Sequence, residues 1–155
     1  MSTPNETALE APRVSRILVA TDFSVQARNA LEWARYLADA LEGQLVLLHV
    51  VDIFSMAEIS CVTGGNDPLP LLREQARSYM GELKTLIADA ETVIREASPR
   101  PAIVDAALEL NCQMIVMGTH GRSGLAHLLM GSVAEYVVRS SRVPVLTVHM
   151  HQTQA

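Results

Sequence analysis

Short apolar runs, each bounded by turn-forming residues, constrain this chain more than any other feature. Ile17-Leu18-Val19 within Arg16–Ala20, the run over Gln44–Val51 and the run over Gln113–Met117 are too short for helices and apolar on both faces. Such runs read as strands buried on both sides of a parallel sheet. Thr92–Arg95 and Pro144–Val148 are weaker candidates for two more. Between the strands, apolar residues recur at helical spacing. Ser24 precedes Ala27, Ala30, Leu31, Ala34, Leu37, Ala38 and Leu41, and Gly43 follows, which predicts a capped helix with a glycine stop. Further helices are expected over Leu71–Ala88, over Pro101–Glu109, where proline suits the first turn, and over Ser132–Arg139. Strands alternating with helices predict one α/β domain built on a mostly parallel sheet, spanning residues 13–150 of the 155. Residues 1–12 read as a disordered leader and 151–155 as a tail. The least regular stretch is 52–70, with the breaker cluster Gly64-Gly65-Asn66-Asp67-Pro68, and it is expected to be a mobile loop.

Composition narrows the class of function. Apolar residues make up 49% of the chain, aromatic residues 4%, and the net charge is −5. The interior must therefore be aliphatic. An acidic balance provides no electrostatic footprint for non-specific binding of nucleic acid or an anionic membrane. No apolar run is long enough to span a bilayer, and the start of the chain lacks the order of a signal peptide. Cys61 and Cys112 fall in unlike settings, so no structural disulfide is expected and a reducing cytoplasm is the default location.

In open α/β sheets, ligands bind beyond the carboxyl ends of strands where the strand order reverses, so the loops after the first and fourth strands are the places to search. The loop after the fourth strand reads Gly118-Thr119-His120-Gly121-Arg122-Ser123-Gly124, then Leu125 to Met130, then Gly131-Ser132. Glycine at 118 and 121 permits tight turns and close approach of the backbone. Gly131-Ser132 opens a helix, whose N–H groups and dipole favour an anion. Together these can cradle a polyphosphate; taken singly, they are turn glycines. The loop is neither a P-loop, since Lys84 is the sole lysine and lies in a helix, nor a dinucleotide Gly-x-Gly-x-x-Gly.

The spacing Gly118-x2-Gly121-x9-Gly131-Ser132 resembles the ATP-binding signature of the universal stress protein family. The likeness runs from about Val14 to His149. Ile17 to Ser24 resembles the family's first strand and turn, Leu47 to Asp52 its second strand, Met114 to Gly118 its fourth and Val143 to Leu146 its last. The resemblance implies an open five-stranded parallel sheet in the order 3-2-1-4-5 with helices on both faces, an adenine nucleotide alpha hydrolase-like fold. It implies a nucleoside near Ala20, Thr21 and Asp22, with adenine against Val50 and with Met117 and Gly118 beside it. Phosphates would lie on the backbone of Gly121, Gly131, Ser132 and Val133, with Arg122 able to reach them and Mg²⁺ arriving with them. The ligand would be ATP, or AMP or ADP, and the chain a homodimer through Pro144–Val148. The family's Gly-x-Pro before the third helix is replaced here by Ala97-Ser98-Pro99.

Other readings are simpler for several residues. Asp22 suits a turn or cap as well as a ligand. His120 and His127 lack a carboxylate spaced to orient them, and His149-Met150-His151 is a poor metal site. Ser123 and Ser132 lack a nucleophile elbow, while Cys112 and the methionines Met114, Met117 and Met130 suit packing. A nucleotide-dependent signalling module in a stress response is therefore expected. The alternatives are a slow ATPase using the same site, hydrolysing weakly at most, or a nucleotide-free interaction protein.

Overall fold

The computed structural model describes residues 12–54, 67–120 and 130–149. Strands β1 (Arg16–Ala20), β2 (Gln44–Asp52), β3 (Glu91–Ala97), β4 (Met114–Gly118) and β5 (Val145–Val148) alternate with helices α1 (Val25–Leu41), α2 (Leu69–Leu86), α3 (Pro99–Glu109) and α4 (Ser132–Ser140). All strand pairs are parallel, and the order across the sheet is β3-β2-β1-β4-β5. The three inner strands are the apolar runs with which the sequence is most explicit.

Alternation of side chains along those strands builds two cores, one on each face. Ile17, Val19, Leu45, Leu47 and Val116 point to one face, where they meet Ala30, Leu31, Ala34 and Ala38 of α1 and Met80 of α2. Leu18, Val46, Leu48, Ile115 and Met117 point to the other, against Ile103, Ala106 and Ala107 of α3 and Ala134 and Val137 of α4. The alanine stripe of α1 matters here, because small side chains let the helix axis sit close to the strands beneath it. Its start is set by Ser24, whose Oγ accepts the Ala27 N–H at 3.1 Å.

Boundaries depart from expectation where proline and edges intervene. α2 begins at Leu69 rather than Leu71, and α3 at Pro99 rather than Pro101. The first turn of a helix needs no intrahelical N–H donor, so Pro70, Pro99 and Pro101 all fit inside it. α1 closes on Glu42, which takes the left-handed conformation at φ 54°, one residue before the expected glycine. β3 extends to Glu91–Ala97, longer than Thr92–Arg95, because an edge strand half-exposed at alternate positions has no continuous apolar run to reveal it.

At the amino ends of the strands one arginine joins several elements. The Arg16 guanidinium donates to the Leu110 carbonyl at 2.9 Å, to Gln44 Oε1 at 2.9 Å and to Glu91 Oε2 at 2.6 Å. It links the starts of β1, β2 and β3 to the turn after α3. The carboxyl ends are thereby left for the loops in which the sequence concentrates its glycines.

Candidate functional site

The switch point lies between β1 and β4. Ala20 is opposite Leu48 of β2 on one side and Met117 of β4 on the other. From Ala20 the chain enters a turn held by short-range bonds. The Thr21 N–H donates to the Leu48 carbonyl at 2.9 Å, and Thr21 Oγ1 accepts the Phe23 N–H at 3.1 Å. Asp22 Oδ1 accepts the Ser24 N–H at 3.0 Å, which is the turn role an aspartate fills by itself. A half-buried carboxylate is thus held at the carboxyl end of β1, where a nucleoside ligand of the resemblance would sit. Val50, two residues beyond Leu48, packs with Ala20, Met117, Met130 and Val133 against the core under α3 and α4. Of the proposed nucleoside residues, Ala20, Val50 and Met117 therefore share one side of the sheet.

The start of α4 is built on Thr119. This residue is buried, and its N–H donates to the Val148 carbonyl at 3.1 Å. Its carbonyl accepts the Gly131 N–H at 2.7 Å, so the start of α4 is tied to the end of β4. Gly131 is the N-cap of α4, with φ −72° and ψ 156° and no side-chain cap. The N–H groups of Ser132, Val133 and Ala134 have no partner within the helix and carry its positive dipole end. Ser132 is exposed there, while Val133 is half-buried in the core. Glu135 stands in the same first turn, engaged by Arg139 at 3.3 Å on the exposed surface.

Two glycines sit where other backbone passes close by. A Cβ on Gly118 would lie 3.2 Å from the backbone carbon of Gln26, so α1 occupies the space that the missing side chain leaves. A Cβ on Gly131 would lie 3.2 Å from the Thr119 carbonyl oxygen, and the φ is an ordinary one. Close approach of backbone, not a left-handed turn, is what favours glycine at both. Gly121 and Arg122 fall outside the described residues, as do Ser123, Gly124, His127, Cys61, Met150 and His151, residues 1–11 of the expected leader 1–12, the expected tail 151–155 and positions 55–66 of the expected loop.

Sequence reasoning passed over Thr119 and His49. The Thr119 hydroxyl lies between two imidazoles, 3.1 Å from His120 Nδ1 and 3.0 Å from His149 Nδ1, with the rings 5.9 Å apart edge to face. His49 Nδ1 lies 2.8 Å from the Thr21 carbonyl oxygen. A histidine interrupting the apolar run Leu47-Leu48-His49-Val50-Val51 was the available signal. Cys112 is buried, as expected of a packing residue, and burial pushes its thiol up. Among the described residues no group of three His, Cys, Asp or Glu side chains is arranged to hold a metal, and no helix is long and apolar enough to cross a membrane.

Residues 13–149 match the Universal stress protein family. The chain belongs to that family. Universal stress protein MJ0577 of Methanocaldococcus jannaschii is 31% identical over 153 residues, covering 86% of this chain and 93% of its own. The solved structure of MJ0577 superposes with a TM-score of 0.80 at 29% identity, covering 92% of this chain and all of that one. A universal stress protein solved in complex with cAMP superposes with a TM-score of 0.59 at 25% identity, covering 89% and 98%. The open parallel sheet in the order 3-2-1-4-5, expected from the resemblance, is the fold of this chain and of the family.

Proposed function

We propose that this universal stress protein binds an adenine nucleotide, ATP in the first instance, across the carboxyl ends of β1 and β4, and that it acts as a cytoplasmic signalling module rather than an enzyme. One observation carries the reading: the Gly131 N–H bond to the Thr119 carbonyl brings a helix N-terminus to the end of β4, beside β1, which leads directly into Thr21-Asp22. An anion-favouring helix end and a carboxylate turn at one switch point suit a ligand with a phosphate end and a sugar end. The complex of a related universal stress protein with cAMP supports an adenine nucleotide. Asp22 would lie near the nucleoside, with Val50 against adenine and Met117 and Gly118 alongside. The backbone of Gly121, Gly131, Ser132 and Val133 would take the phosphates, with Arg122 within reach of them and Mg²⁺ brought by the nucleotide.

Binding without rapid turnover fits the placement of charge. The only lysine, Lys84, donates to the Ala90 carbonyl beside the start of β3, at the opposite end of the sheet from the cradle. It is not positioned as a phosphoryl-transfer lysine. The chain would work as a homodimer through β5, so that two sites share one body. Calorimetric titration with ATP, ADP, AMP and cyclic AMP in the presence of Mg²⁺ tests the reading. Saturable heat with at least one of them is expected; no heat and no thermal shift with any would end it.

A further inference from the structure

His49 packs against the turn that carries Asp22. Its Nδ1 is 2.8 Å from the Thr21 carbonyl oxygen. A carbonyl only accepts, so Nδ1 carries the hydrogen and donates it. The same imidazole packs on the Phe23 ring at 4.3 Å between centroids, and Phe23 meets Tyr79 of α2 at 5.0 Å on the other side. Phe23 holds φ at 64°, a left-handed conformation that a bulky residue keeps only when its surroundings impose it.

These contacts pin two of the four turn residues, Thr21 and Phe23, independently of Asp22. Thr21 is held at its N–H by Leu48 and at its carbonyl by His49, and Phe23 at its N–H by Thr21 Oγ1 and at its ring by His49. Ser24 is held through Asp22 Oδ1 and caps α1. The direction of the Asp22 side chain follows from the backbone on either side of it. That backbone is anchored to β2 at two points, the Leu48 carbonyl and the His49 imidazole.

We propose that His49 is a positioning residue for the nucleoside end of the site: its Nδ1–H bond to Thr21 and its ring against Phe23 hold the turn in the one shape that aims Asp22 at the ligand. This rests on the nucleotide reading above. The chemistry separates the two contacts. Phenylalanine at 49 keeps a ring against Phe23 and loses the donor, whereas asparagine places an amide N–H close to where Nδ1 stands and loses the ring.

The experiment uses the full chain and its His49→Phe and His49→Asn variants. In His49→Phe the Kd for Mg²⁺-ATP is expected to rise about tenfold, the scale of one lost hydrogen bond in a preorganised site. The Phe23 and Ser24 amides should exchange faster with solvent. His49→Asn should recover the affinity to within about threefold and restore slow exchange. Unchanged affinity in His49→Phe, or equal losses in both variants, overturns the proposal. NMR of the imidazole nitrogens in the parent supplies a test that needs no variant and no ligand: His49 neutral with its hydrogen on Nε2 also overturns it. A parent that binds no nucleotide removes the affinity half together with the nucleotide reading, and the amide exchange and the tautomer then decide whether His49 holds the turn.

Discussion

Gly118 and Gly131 lie at the two ends of one loop, and the backbone each meets sets a different consequence for substitution. At Gly118 the neighbour is the first turn of α1, a 17-residue helix packed on the sheet, so a local shift is opposed by its other contacts. Gly118→Ala should therefore cost about 1–3 kcal/mol of stability, as overpacking does. That corresponds to a fall in Tm of about 2–10 °C for a domain of this size, readable by calorimetry. At Gly131 the neighbour is the Thr119 carbonyl, to which Gly131 itself donates. A branched side chain there pushes the start of α4 away from β4 and spoils the orientation of the helix end. Gly131→Val should lower ATP affinity by about tenfold or more, the scale of one or two lost charge-assisted bonds, with a smaller change in Tm than Gly118→Ala. ATP binding equal to the parent's would mean that the phosphates lie elsewhere.

Between elements, the contact most exposed to pH is the one joining α2 to β3. Arg73 donates to both carboxylate oxygens of Glu96, through Nε at 2.6 Å and NH2 at 2.8 Å, and both side chains are partly open to solvent. The Arg73 hydrogen bonds hold the Glu96 carboxyl below its ordinary value of 4.5. A carboxyl lowered by folding adds stability above its unfolded pKa and loses it as pH falls through the folded one. The pair should thus be fully effective at pH 7 and fade below about pH 4.5. Urea unfolding of the parent and Glu96→Gln should differ slightly at pH 7 in low salt, and the difference should shrink as pH falls below the ordinary carboxyl value of 4.5 or in 1 M salt, since an open ion pair is weak and screened. A difference that neither acid nor salt reduces would show that Glu96 contributes through packing instead.

For the whole molecule, the two sheet edges are unlike. β3 carries the Arg73–Glu96 and Arg95–Glu109 pairs along its length, charges that discourage another strand from pairing there. β5 has β4 on one side and, among the described residues, no strand on the other. Val145 packs into the core under α4, but Leu146 is 36% exposed, and Tyr136 and Val138 of α4 are exposed too. An apolar edge of this kind suits pairing with a second copy in a two-fold arrangement. Light scattering at micromolar concentration should report a dimer. Leu146→Lys should dissociate it while leaving the Tm of the monomer nearly unchanged, because Leu146 is not a core residue. A monomeric parent would remove the dimer and leave the nucleotide reading intact.

What the sequence determined by itself is the sheet and its class. Three inner strands were legible because burial on both faces demands unbroken apolar runs, and α1 because its cap and its alanine stripe are local features. The order of the strands and the roles of single residues came from resemblance to a family; the glycines and the helix start by themselves suggested only an anion cradle. The tertiary structure decided matters that depend on residues far apart in the chain. A side chain at 118 would crowd Gln26 and one at 131 would crowd the Thr119 carbonyl, and the turn that carries Asp22 meets His49. None of these partners lies in a shared local pattern with the residue it constrains. A single chain records what each residue prefers; which backbone passes within 3.2 Å of which is settled only when the sheet has assembled and brought them together.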